Sequence, residues 1–345
     1  MLVVFLAIVL LAGCGGRSGS QVRPTVTVYS ANGLGSWYKS AFKKFTDETG
    51  IDVELFEAGS GEVVSRLNSP AVWDRLNSDG KQPPPADLLV TLPPFIQKAD
   101  KAGLLAPSGV DTAGLPSELV GPDGSFVPIL ETALCFIANP TVNPKPVSWQ
   151  DLLAPRFTGK LQYSTPGEAG DGTALLLLLQ HLMGKQGALD YLAQLGRNNV
   201  GPASSTASLQ PKVDTGELLI ANGDVQMNLA SINNDGSTSG IFFPAMPDNS
   251  RTTISLPYVA GVTAAARRPD EAKLLLAFLL SDAAQRDASA TAFGIPVRRT
   301  AVERESPPRN SPTAVLQGVT LWAPNWDQVL ADLETDIDAY RKAVG

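Results

Sequence analysis

The sequence predicts an α/β protein of two lobes with a cleft between them. Residues 25–102 alternate β-patterned and helix-patterned segments three times at short spacing, which implies parallel strands with helices on their faces. Two later stretches, 126–138 and 238–250, read as extended crossings from one lobe to the other. Apolar helical runs at 174–183 and 270–290 supply core material.

Each element follows from local pattern. Residues 25–30 alternate as a strand, Asn32 and Gly33 turn the chain, and Trp37, Ala41, Phe42 and Phe45 share one face of a helix ended by Gly50. Residues 51–56 make a second strand, Gly59, Ser60 and Gly61 a tight turn, and 62–76 a second helix. Prolines 83–85 break the pattern before a third strand at 86–91 and a third helix at 94–102. The loops after these strands carry Ser30, Asn32 and Gly33, then Ser60 and Gly61, then Thr91. Open α/β sheets bind ligands at the carboxyl ends of their strands. Glycines and small hydroxyl residues there let a ligand approach backbone N–H groups.

The middle of the chain repeats the logic. A strand at 160–164 leads into the Gly-rich loop 165–173 and directly into the helix at 174–183, with Asp171 as its expected N-cap. The N–H groups of Gly172, Thr173 and Ala174 would then lack helical partners and favour an anion. Segments at 190–195, 212–220 and 225–229 precede a polar loop at 230–240 and an extended run at 251–260. Helices at 270–290 and 326–343 flank a Pro-broken loop at 306–312.

Composition narrows function. The 345 residues include 34 acidic and 27 basic ones, net charge −7, with no basic run, so nucleic acid is not an expected partner. Residues 1–13 are apolar but shorter than the about 20 residues a membrane helix needs, and read as a signal peptide. Leu11, Ala12, Gly13 and Cys14 look like a bacterial lipobox, with Cys14 lipidated and 14–24 a flexible tether. An extracytoplasmic, membrane-anchored lipoprotein is expected. Cys135 is the other of two cysteines, an expected buried apolar residue with no disulfide partner. The single histidine, His181, lies in an apolar helical run, so a His-built zinc site and a Ser-His-Asp hydrolase lack their parts. No catalytic residue, metal site or cofactor is expected.

Several stretches resemble the extracellular solute-binding proteins of bacterial ABC importers: residues 28–33, 45–51, 59–63, 86–91, 254–259, 274–281 and 292–298, in that order. The branch is the one that includes iron(III), thiamine and 2-aminoethylphosphonate binders, and residues 29–34 and 90–95 look most like the last of these. The resemblance implies a type II-like periplasmic-binding fold, two mixed sheets flanked by helices and hinged by two crossing strands. Its lobes would be 25–128 plus 246–345, and 129–245. It implies a monomer that captures a small phosphonate and passes it to a membrane permease. Phosphonate oxygens would meet the Gly170–Thr173 helix start with Thr165, and Ser30, Asn32, Gly33, Ser60, Gly61 and Thr91 opposite. The amine would meet Glu131 first, Asp171 second, with Tyr258 as a wall. The six tyrosines are never adjacent, unlike the paired phenolates of iron binders of this kind. Thiamine, a polyamine, a phosphate ester or ferric iron remain alternative ligands, and a scaffold lipoprotein or a secreted hydrolase alternative roles.

Overall fold

The computed structural model describes residues 23–68, 85–298 and 310–345. The signal peptide, Cys14, nearly all of the tether and the distal part of the second helix lie outside the described residues. Among those described, no helix is long and apolar enough to cross a membrane.

The three strand–helix units form as the periodicity requires. They are β1 (Thr25–Ala31) with α1 (Gly35–Thr49), β2 (Asp52–Ala58) with α2 (Ser60–Asn68), and β3 (Leu88–Thr91) with α3 (Phe95–Lys101). Both β2 and β3 run parallel to β1. Gly50 ends α1 at φ 73°, the left-handed geometry that a residue without a Cβ adopts freely, and its N–H reaches Thr46 O. Trp37, Tyr38, Ala41 and Phe45 bury the inner face of α1.

Two twelve-residue strands join the lobes. The first, β5 (Val127–Ala138), follows the short β4 (Leu105–Ala106). The second is β9 (Thr252–Thr263), C-terminal to the expected crossing at 238–250. Residues 240–242 of that stretch instead make β8 (Gly240–Phe242), a short edge strand on β5. Pro247 and the polar residues 248–251 interrupt its hydrophobic run, so the long, mostly buried strand after them does the crossing. β9 pairs antiparallel with β5 at one level and with β3 and β4 further on. The far end of β5 pairs with β7 (Ile220–Asp224), which pairs with β6 (Leu161–Gln162). The two expected sheets are therefore halves of one continuous mixed sheet in the order β2-β1-β3-β9-β5-β7-β6.

Helices cover both halves. In the second lobe, α4 (Gly170–Leu195) is broken at Gly184, which takes φ 74°, so the two helical segments read from sequence share one element. Next come α5 (Leu209–Asp214) and α6 (Val225–Ala230). The expected helix at 270–290 is interrupted at Ser281, whose side chain caps α8 (Asp282–Asp287) after α7 (Pro269–Leu279). Both pack on α1, through Phe45–Phe278 ring contact and a Ser40–Asp287 hydrogen bond. The last segments, α9 (Pro312–Val315), β10 (Thr320–Trp322) and α10 (Trp326–Val344), go to the other lobe. There Tyr340 meets the buried Tyr163 hydroxyl at 3.1 Å, and Lys185 on α4 holds Asp332 and Asp336. The segment 246–345 is thus divided between the lobes, because its amphipathic helices face two different cores.

Candidate functional site

The lobes touch around a small cavity of about 20 Å³, room for about one water. The first lobe supplies Asn32, Ala58, Gly59, Ser60 and Leu92; the second supplies Ala169, Gly170, Asp171, Ser205, Thr206, Ala207, Asp224 and Met227. Tyr258 on the crossing strand β9 forms a wall. The closure is direct. Asn32 Nδ2 donates to Ser205 Oγ at 2.7 Å, and Gly61 N–H donates to Glu168 O at 3.0 Å. A Cβ on Gly59 would stand 2.4 Å from Ser204 O, so this approach tolerates only glycine.

The electrostatics of the cavity are lopsided. Asp171 and Asp224 are both buried, and among the described residues no Lys, Arg or His lines the space. Asp171 sits in the first turn of α4 with its carboxyl held well above the usual range, by burial first and by the neighbouring Asp224 second. Asp224 ends β7 and caps α6, accepting Met227 N–H at 2.7 Å and the Thr132 hydroxyl at 3.2 Å. Burial pushes Asp224 up to about 6 despite those hydrogen bonds. The Tyr258 hydroxyl donates to Asn32 O at 2.9 Å and lies 3.4 Å from Asp224 Oδ2. Burial raises this phenol too, and the two aspartates add to the rise. Two buried acids and a phenol, with no basic partner among the described residues, suit a ligand that brings its own positive charge.

The family profile described as bacterial extracellular solute-binding protein matches residues 26–290. The chain belongs to that family. A Salmonella typhimurium relative, provisionally named a 2-aminoethylphosphonate-binding periplasmic protein, is 42% identical over 329 residues, covering 94% of this chain and 93% of its own. Among solved structures, the periplasmic binding protein P5PA superposes with a TM-score of 0.76 at 20% identity, covering 94% of this chain and all of its own. A periplasmic thiamin binding protein gives 0.74 at 21% identity, covering 95% and 98%. These structural likenesses establish the two-lobed periplasmic-binding fold.

In this solute-binding protein the predicted site residues divide into three groups. Asn32, Ser60, Gly170, Asp171 and Tyr258 line the cavity. A second group builds its walls from behind. Ser30 is fully buried, bonded to Ala31 O and to the Tyr38 hydroxyl. Gly33, at φ 124°, leaves room for Tyr258, whose hydroxyl would stand 2.2 Å from any Cβ there. Thr91 donates to Ser60 O, and Gly61 belongs to the lobe contact. Thr165 exchanges two hydrogen bonds with Ala203, placing the loop that carries Ser205 and Thr206. Gly172 packs where a Cβ would strike Ser164 O at 2.1 Å.

The third group departs from expectation. The backbone N–H and the hydroxyl of Thr173 both donate to Ala169 O, so neither is an open donor for an anion. Ala169, not Asp171, is the N-cap of α4, because the helix begins two residues earlier than a cap at Asp171 requires. That shift turns Asp171 inward. Glu131 lies on β5 opposite Pro257, with its backbone bonded to Ile295, outside the cavity lining. His181 is exposed and stacks on Trp322 at 4.1 Å rather than joining the core, whereas Cys135 is buried as expected.

Asp224, Ser205, Thr206 and Met227 are among the lining residues that sequence reasoning missed. A signal for Asp224 existed: an aspartate between a short apolar strand and Val225 is a helix N-cap pattern. Nothing local tells that this cap stands beside Asp171.

Proposed function

We propose that this protein captures 2-aminoethylphosphonate, or a closely similar small aminophosphonate, for an ABC importer and delivers it to the membrane permease. The observation that carries the reading is the Asp171–Asp224 pair, buried without a cation at the interface of two closing lobes. The name of the 42% identical Salmonella relative supports the phosphonate half. A bare anion such as a phosphate ester fits poorly beside two carboxylates, whereas an ammonium compensates them. The hydroxyls of Ser60, Ser205 and Thr206 and the Asn32 amide serve the phosphonate oxygens through charge-assisted hydrogen bonds. The space holds about one water, so the lobes part to admit ligand and close around it. The reading also makes Cys14 the lipid attachment point, the protein a monomer, and its action binding without turnover.

Calorimetry decides it. 2-Aminoethylphosphonate should bind tightly, while ethylphosphonate, lacking the amine, ethanolamine, lacking the phosphonate, and thiamine should bind weakly or not at all. No heat with millimolar 2-aminoethylphosphonate rejects the substrate, and recovery of altered ligand after incubation rejects a pure binding role.

A further inference from the structure

We infer that in the ligand-free protein Asp171 and Asp224 hold one proton between them, and that the ammonium of an incoming ligand displaces it to solvent. The inference rests on the reading of this cleft as an amino-ligand site and adds how the site handles charge.

The geometry leaves few other arrangements. Both aspartates are at least nine-tenths buried and line the same cavity of about 20 Å³. Asp224 Oδ1 takes the two good hydrogen bonds, from Met227 N–H and Thr132; among the described residues its Oδ2 meets only the Tyr258 hydroxyl, at 3.4 Å. The Thr206 side chain lies beside Asp171, but its hydroxyl donates to Ser164 Oγ at 3.0 Å. A second group also awaits a ligand. The Ser60 hydroxyl, nine-tenths buried, lines the cavity from the opposite lobe and makes no hydrogen bond among the described residues. The charged and titratable neighbours supply no compensating cation. Tyr258 approaches from β9, the Cys135 thiol from β5, and Tyr38 from α1 behind Tyr258; Glu57 on β2 acts only on Tyr38. Every one of them is neutral or negative. Two carboxylates so enclosed do not both ionise, and one proton is the smallest positive charge that relieves them. An ammonium brings the same charge with three donors, and so replaces the proton instead of adding to it.

The consequence is proton-linked binding. Where the pair holds its proton, Kd should fall about tenfold for each pH unit of rise, and level off once the pair ionises unaided. The experiment is titration with 2-aminoethylphosphonate at about pH 8, above the second ionisation of the phosphonate, in buffers of different ionisation enthalpy. The expected result is release of about one proton per ligand, reduced to near zero in Asp224→Asn and Asp171→Asn. Infrared spectroscopy of the unaltered protein gives a variant-free check: a protonated carboxyl band in the free protein that vanishes on ligand addition. Binding without proton release, or without that band, overturns the proton exchange and leaves the substrate reading standing. Absence of binding overturns the substrate reading and the exchange with it.

Discussion

The helix α4 carries carboxylate neighbourhoods of opposite character at its two ends. At its start, Asp171 and Asp224 share a small cavity that no base lines among the described residues, and both acids are raised. Beyond its break at Gly184, Lys185 reaches Asp332 at 3.1 Å and Asp336 at 2.9 Å, half in solvent. Hydrogen bonding to Lys185 holds Asp332 below its usual value, and bonding to Asp336 first raises Lys185. The outer cluster is complete in itself and fastens α10 to the second lobe. The inner one is incomplete, and that incompleteness marks a binding site: a charge deficit that a folded chain retains is relieved by something from outside.

Breaking the inner pair should give the largest effect. Asp171→Asn or Asp224→Asn removes one partner of a buried charged contact and should weaken 2-aminoethylphosphonate binding about a hundredfold or more by calorimetry. Asp224→Asn should also steady the ligand-free protein at neutral pH, since it removes the desolvation cost of a buried carboxylate.

The pH dependence of stability sharpens the contrast and comes next in size. Asp224 titrates at about 6 when folded against 3.8 in its unperturbed form, so the folded protein binds more protons through that window. Its contribution is therefore greatest below pH 4 and is lost as pH rises from about 4 to about 6, on the order of 3 kcal/mol. Asp332 has the opposite sign: its pairing helps above its ordinary value and is lost as pH falls through its lowered one. Ligand-free melting of the parent protein minus that of Asp224→Asn isolates the inner term. A difference that is flat with pH would contradict the raised carboxyl.

Closure gives a smaller effect. Gly59→Val sets a side chain against Ser204 O and should weaken binding about tenfold, with small-angle scattering showing less ligand-induced compaction than the parent. Lys185→Met should give the smallest. It removes a half-exposed pair, lowers stability by under about 1 kcal/mol, and leaves Kd unchanged. An equal loss of affinity from Lys185→Met would erase the distinction between the two ends of α4.

Much of this was legible before folding. The three early strand–helix units, the first crossing strand, and the positions of Asn32, Ser60, Gly170, Asp171 and Tyr258 followed from pattern, loop position and resemblance. Less visible were the roles. Ser30, Gly33, Thr91 and Thr165 are hydroxyls and glycines of the right type, yet they support the wall instead of forming its surface. Glu131 was attractive as a carboxylate on the crossing strand, but its place on β5 leaves it outside the cavity lining. The second crossing moved to β9 because a strand's extent depends on its partners as well as its own alternation.

Periodicity, turn residues and capping are local properties, and the amino-acid order alone determined the α/β class, the early strand–helix units and the loops that approach the cleft. What stands across from what is not local. Asp224 became the partner of Asp171, and α10 a part of the second lobe, only when β5 and β9 brought distant segments together. Burial and the field of a neighbouring charge act through space, so the character of a carboxylate was decided by the tertiary fold.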